Sequence, residues 1–216
     1  MTTARPLLTS DVVYEAFVSA CREELSALKP GNVHIHADGH NMTVADFEAA
    51  AVAAAPSMSR EGLRVGARIE QAVTASYNAV GCNTNLGIIL LAAPVATAVL
   101  QSVPESLSAN TDLRSLLTAV LADLDTTDAI HAFRAIAHVN PGGLGDAPKH
   151  DVHRTPETTL RGAMNAAAHR DRIANAYKDN FNDIFGFGLP LFAETLKIAE
   201  KPSLALTTLH LSLIHI

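Results

Sequence analysis

The chain has 216 residues, a formal net charge of −6 at pH 7 and 48% hydrophobic residues. This length suffices for one domain with a substantial hydrophobic core and does not require a second. The acidic balance argues against a surface that neutralises a nucleic-acid backbone. Any phosphate that the protein binds is therefore expected to belong to a small ligand.

Alanine-rich windows run through the sequence, and they favour helix because alanine loses no side-chain entropy there. The sequence predicts an all-α fold, a single-domain bundle of about eight helices over residues 1–200. The most apolar run, "LGIILLAAPVATAVL", is shorter than the roughly 20 residues that cross a bilayer and indicates a buried core helix. Cys21 and Cys82 lack CxxC spacing, and the first residues lack the features of a signal peptide. We therefore expect a cytoplasmic protein that binds neither membranes nor nucleic acid.

Apolar periodicity and capping residues predict the helices in chain order. Their expected ranges are 11–28, 44–55, 60–79, 86–103, 113–124, 128–138, 160–181 and 190–200. The first helix is expected to bury Val13, Phe17, Cys21 and Leu28. The third has a weaker stripe through Leu63, Ala67, Glu70 or Gln71, Thr74 and Tyr77.

Proline and glycine predict where these helices stop. Pro56 is expected to end the second helix, and Gly186-Phe187-Gly188 to break the last long pattern. A loop is predicted at 101–110, and a long irregular loop near 139–156, where three Pro and three Gly interrupt any helix. The tail, 201–216, alternates like a strand that has nothing to pair with. It is predicted to be a non-native or truncated end.

Three polar segments hold the candidate chemistry, and each lies where a predicted helix begins or ends. The first, "KPGNVHIHADGHN", follows the first helix. Its His-x-His-x-Asp-x-His spacing matches no zinc signature. Its candidates for substrate binding and catalysis are Lys29, Gly31, Asn32, His34 and His40.

The second segment is "GCNTNLG", which opens the apolar helix. A helix N-terminus favours an anion such as phosphate, because its backbone N–H groups are free and its dipole end is positive. One of Asn83 and Thr84 is expected to cap the helix, and Asn83, Thr84 and Asn85 are candidates for substrate binding. The phosphate-loop motif of Walker-type ATPases is absent from the sequence.

The third segment combines "DTTDAIHAFR" with "PGGLGDAPKHDV". Aspartates at a helix start are favoured by the dipole even without a function. The alternative is that two or more of them hold Mg²⁺, which typically takes one or two carboxylates plus phosphate oxygens. The metal candidates are Asp125, Asp128, Asp146 and Asp151. Gly143, in the same loop, is a candidate for substrate binding.

The paired motifs "KPGNVH…HNM" and "NTNLG" resemble the triphosphoribosyl-dephospho-CoA synthase family. Its members have a Glu before Pro-Lys-Pro-Gly-Leu-Val-Asp, then Gly-x-His-x-Asp-Met, and later Asn-Thr-His-Lys-Gly. The resemblance is clear in the first half, and the second half resembles a shorter, divergent branch. It departs from the family at His34, in place of Val-Asp, and at Asn85-Leu86, in place of His-Lys.

The resemblance implies a reaction. A hydroxyl of 3'-dephospho-CoA attacks the anomeric carbon of the ATP ribose, and adenine leaves while the triphosphate stays on the sugar. Mg²⁺ is implied as the cofactor and ATP as co-substrate. A carboxylate is the natural general base: motif alignment selects Glu23, whereas helical phase places Glu24 toward the core. His34 or His40 is expected to protonate the leaving base.

The departures leave two alternatives to this reaction. Ribosyl transfer to another cofactor precursor is one, since the lost Lys removes a positive charge that would serve a triphosphate. A helical homologue that binds a nucleotide without turning it over is the other.

Overall fold

The computed structural model describes residues 9–28, 42–101, 112–142, 147, 149–199, 201, 202 and 205. These residues contain nine α-helices and no strand, which confirms the all-α prediction. The helices are α1 (Ser10–Ser26), α2 (Val44–Ser59), α3 (Val65–Val80), α4 (Leu86–Gln101), α5 (Leu113–Ala122), α6 (Thr126–Val139), α7 (Leu160–Ala167), α8 (Arg172–Lys178) and α9 (Leu189–Leu196). None of the described helices is long and apolar enough to cross a bilayer.

Helices α1 to α4 form an antiparallel bundle around one hydrophobic cluster. The Ser10 hydroxyl, at the start of α1, donates to Glu61 just beyond the end of α2 at 3.0 Å. The buried Arg68 guanidinium, near the start of α3, donates to the Thr97 hydroxyl near the end of α4 at 3.0 Å. The Asn85 side chain, just before α4, donates to the Phe47 carbonyl in the first turn of α2 at 3.5 Å. Consequently α2 and α4 begin at the same end of the bundle.

Helix α6 packs against α3 in a parallel orientation. Gly66 in the first turn of α3 meets Asp128 in the first turn of α6, and Tyr77 near the end of α3 contacts the His138 ring near the end of α6. A Cβ added at Gly66 would lie 2.4 Å from the Asp128 Cα, so only glycine permits this approach. The end of α6 therefore lies at the same end of the bundle as the start of α4.

Several predicted helix limits are wrong, for identifiable reasons. Pro56 lies inside α2, because it removes only the hydrogen bond to the carbonyl of Val52, an exposed residue that water reaches. Helix α3 begins at Val65 rather than at Arg60, because Gly62, with φ +74°, forms a turn first.

The predicted apolar stripes are also partly wrong. Leu28 is 52% exposed, and Leu25 is buried on α1 instead. On α3 the buried face includes Arg68 and Ile69 rather than the predicted stripe. Arg68 tolerates burial because it also donates to the carbonyls of Ser57, Met58 and Leu63. Desolvation lowers its pKa to about 10.

The last predicted long helix is two helices, α7 and α8, separated by a turn at 168–171. Asp171 caps α8 by accepting the Ala174 N–H at 2.7 Å. The expected break at Gly186-Phe187-Gly188 is wrong too, since Asp183–Gly188 is π-helical and continues into α9. The predicted loop at 101–110 lies almost wholly outside the described residues, as does most of the tail, 201–216.

Candidate functional site at the start of helix α4

A cavity of about 620 Å³ lies where α4 begins, within the size range of small-molecule sites. Its walls come from α4, α6, α7, α8 and the loop after α6. Its polar and charged lining consists of Asn83, Thr84, His150, Asp151, Arg170 and Asp171. Its large apolar lining consists of Leu86, Leu90, Phe133, Ile136, Leu160, Met164 and Ile173.

The first turn of α4 forms one wall of the cavity. The Asn85 carbonyl accepts the Ile89 N–H at 2.9 Å, so Asn85 occupies the cap position. Its side chain reaches toward α2 instead of capping, and the Thr84 hydroxyl lies 3.5 Å from the Ser76 hydroxyl. The expected cap at Asn83 or Thr84 is therefore wrong. Within the described part of the chain no side chain satisfies the first amides of α4, which keeps them available to an anion.

Asp151 fixes the loop that forms the opposite wall. Its buried carboxylate accepts the N–H groups of Ala147 at 2.9 Å and His153 at 2.8 Å. The hydrogen bond from Ala147 contributes most, followed by that from His153, and together they lower the pKa of Asp151 below its usual range. The Asp151 carboxyl group is therefore ionised at neutral pH. His150, between these anchors, has a left-handed backbone with φ +55°. Such strain persists where the surroundings hold it and is common at functional sites.

Asp125 and Asp128 have structural roles away from the polar part of the cavity. Each carboxylate accepts the other residue's backbone N–H, at 2.9 and 3.1 Å, which forms a capping box at the start of α6. Asp128 is 1% exposed and also accepts from the Gly66 N–H at 2.9 Å and the Arg64 guanidinium at 2.8 Å. Neither aspartate lines the cavity. Their assignment to Mg²⁺ stays a prediction, but their oxygens are already engaged.

The structure separates the remaining predicted site residues into two groups. Glu23 and Glu24 lie half-buried in the last turns of α1, and neither lines the cavity, so the choice between them stays open. The second group falls outside the described residues: Lys29, Gly31, Asn32, His34, His40, Gly143 and Asp146.

Three cavity residues escaped sequence reasoning: His150, Arg170 and Asp171. Arg170 and Asp171 were assigned to the interior of a long helix, which hid them. A signal was present, because the apolar pattern steps by six residues from Ala167 to Ile173, too far for one helical stripe. His150 and Asp151 both lie in the predicted irregular loop, where Asp151 was a predicted site residue and His150 was not.

The sequence matches the model of the CitG family, ATP:dephospho-CoA triphosphoribosyl transferase, over residues 10–215. The chain belongs to this family. The match covers essentially the whole chain and confirms the resemblance drawn from the two N-terminal motifs. Family membership makes the protein a transferase of cofactor biosynthesis, and the family's substrates are ATP and dephospho-CoA. Comparison with curated proteins and with solved structures gives no significant match.

The cavity carboxylates also bear on a metal ion. Among the described residues no group of three or more His, Cys, Asp or Glu side chains is placed to hold a metal on its own. Mg²⁺ does not need such a group when it binds with phosphates, since one or two carboxylates then suffice. Asp151 and Asp171 line the cavity, and a carboxylate retains acceptor capacity after one or two hydrogen bonds. The magnesium assignment therefore stays a prediction, with Asp151 and Asp171 as the carboxylates of the described cavity lining.

Asp128→Asn tests the structural role of Asp128. We expect the free energy of unfolding to fall by about 3 kcal/mol, because Arg64 and the Gly66 N–H lose a buried anionic acceptor. Urea unfolding measures this loss. Asp112→Asn is the matched control: Asp112 caps α5 with a bond from Ser115 at 2.7 Å, and asparagine caps equally well. An Asp128→Asn protein as stable as the control would contradict the assignment.

Proposed function

We propose that the protein transfers the triphosphoribosyl group of ATP to a hydroxyl of 3'-dephospho-CoA and releases adenine. The observation that carries the proposal is the family match over residues 10–215. The cavity at the start of α4 supports it, because it combines a helix N-terminus that no described side chain caps, a cation and an apolar wall.

The two sides of the cavity suit the two parts of ATP. The triphosphate would lie at the first turn of α4, where amides and the helix dipole favour negative charge, with Asn83 and Thr84 as further hydrogen-bonding groups. The adenine ring would pack against the apolar wall, where Phe133, Ile136 and Met164 lie. This orientation leaves the anomeric carbon between the polar and apolar sides.

The bond changes at that carbon define what the protein must supply. The acceptor oxygen forms a bond to the anomeric carbon while the carbon–nitrogen bond breaks, and its electron pair goes to adenine. The hydroxyl proton passes to a general base, for which Glu23 and Glu24 remain the candidates. Nearby negative charge would stabilise the positive charge that develops on the sugar.

A proton donor to the departing adenine makes it a better leaving group. His34 and His40 were expected in this role, and they stay predictions. In the described part of the cavity wall, His150 is the histidine that faces the ligand space, and no described group hydrogen-bonds to its ring. We therefore nominate His150 as the donor.

Mg²⁺ would neutralise part of the triphosphate charge, held by Asp151 and Asp171 together with phosphate oxygens. Asp151 suits this task because its lowered pKa keeps it anionic. Asp125 and Asp128 suit it less, since both are committed to the start of α6.

The reaction is tested by incubating the full chain with ATP, Mg²⁺ and dephospho-CoA, and by identifying the products chromatographically. We expect free adenine and a triphosphoribosylated acceptor in equal amounts, with no ADP or AMP. Omission of dephospho-CoA should abolish product formation. ATP turnover that yields ADP, or no turnover with any acceptor, would contradict the proposal.

One observation favours a second acceptor. Leu86 lines the cavity where the resemblance has a lysine, so the cavity is more apolar than the family motif implies. Ribosyl transfer to another cofactor precursor would then give adenine release that is insensitive to dephospho-CoA and stimulated by the other acceptor. A non-catalytic homologue would bind ATP and release no adenine.

The role of His150 is tested with His150→Gln. We expect turnover with ATP to fall by about 100-fold or more, the range of general acid catalysis. An ATP analogue methylated at N7 of adenine already carries the charge that protonation would supply, so the variant should use it nearly as well as the unmodified protein does. His153→Gln, an exposed histidine outside the cavity lining, is the control. Equal losses with both nucleotides would rule out proton donation.

A further inference from the structure

The cavity contains a pattern that neither the motifs nor the family match describes. Two adjacent base–acid pairs face it, His150-Asp151 and Arg170-Asp171. In each pair the aspartate is held by backbone: Asp151 accepts two amides and Asp171 accepts the Ala174 N–H. The acidic residue thus fixes the local chain, and the preceding basic residue belongs to the cavity lining.

Arg170 is the permanent cation of the described cavity lining. Arg170 is exposed, and its guanidinium has no hydrogen-bond or ion-pair partner within the described ranges, although two carboxylates lie on the same cavity wall. Five other described arginines have side-chain partners: Arg64, Arg68, Arg114, Arg161 and Arg172. Four more, Arg22, Arg60, Arg134 and Arg154, have none among the described residues, but they do not line the cavity. An arginine without a protein partner in a cavity retains its full capacity for phosphate, which it binds through two parallel N–H donors.

The position of Arg170 relative to α4 is also fixed. A Cβ added at Gly87, in the first turn of α4, would lie 3.4 Å from the Ile173 side chain. The segment that carries Arg170 is therefore packed beside the first turn of α4. A polyphosphate group bound at this helix start would therefore lie on the same side of the cavity as Arg170.

We infer that Arg170 binds the polyphosphate part of the nucleotide and so determines the preference for a triphosphate over nucleotides with fewer phosphates. The inference rests on the proposed function for the identity of the ligand, and it concerns binding rather than bond cleavage. The two acidic neighbours of Arg170 add a preference for the magnesium complex of the nucleotide. Asp151 and Asp171 repel a free polyphosphate, whereas in the magnesium complex the phosphates would contact Arg170 and the magnesium ion would contact the aspartates.

Calorimetric titration of the full chain with ATP, ADP, AMP and adenosine, each with Mg²⁺, tests the inference. The unmodified protein should bind more tightly with each added phosphate. Arg170→Ala should weaken ATP binding by about 10- to 100-fold, the range for hydrogen bonds to a charged group, and leave adenosine binding unchanged. Arg170→Lys should recover part of the loss, because it keeps the charge without the two-pronged geometry.

Arg172→Ala is the matched control. Arg172 lies two residues away, pairs with Asp183 and does not line the cavity, so its loss should leave all four affinities unchanged. Equal weakening of ATP and adenosine by Arg170→Ala, no weakening of either, or no binding by the unmodified protein would overturn the inference. Arg170-dependent ATP binding without adenine release would instead overturn the proposed reaction and leave the role of Arg170 intact.

Discussion

The close approach of α3 and α6 at Gly66 and Asp128 is the contact on which the site depends. Glycine allows the backbones to meet, and the Asp128 carboxylate then accepts the Gly66 N–H and the Arg64 guanidinium while completing its capping box. These bonds hold two helices parallel and in register from their first turns. Since α6 has 14 residues, its far end lies about 20 Å away, beside the start of α4. The cavity forms where that end, α4 and α8 meet.

The chemistry of the cavity follows from a division of tasks between neighbouring residues. Asp151 and Asp171 accept hydrogen bonds from backbone amides, and these bonds hold the two irregular segments that face the start of α4. The basic residues before them, His150 and Arg170, have no described side-chain partner and line the cavity. The first turn of α4, which no described side chain caps, adds backbone N–H donors from a third element. Anion recognition thus comes from three elements that are distant in sequence.

Much of the fold was predictable from local patterns. The all-α class and most helix positions follow from alanine content, apolar spacing and capping chemistry. The errors arose where tertiary contacts override local preference. A sequence pattern places Arg68 on the surface because it is charged. It is buried nevertheless, because four neighbouring oxygen atoms accept hydrogen bonds from its guanidinium.

The site was less predictable than the fold. The motif at 83–85 led to the start of α4, and Asp151, predicted as a magnesium ligand, lines the cavity there. Arg170 was hidden because its segment was taken for the middle of a helix. Asp125 and Asp128 form a capping box, and a capping box and a metal pair have the same spacing in sequence. The contact of Asp128 with Arg64, which lies 64 residues earlier in the chain, is not visible in a local pattern.

The central claim is that the cavity at the start of α4 is the nucleotide site. Amide hydrogen exchange measured with and without ATP and Mg²⁺ tests it most directly, because the first amides of α4 would change partner from water to phosphate. We predict slower exchange in 84–90, 149–153 and 167–174, with no change in 123–128. Protection confined to 123–128, or none at the start of α4 under saturating nucleotide, would contradict the account.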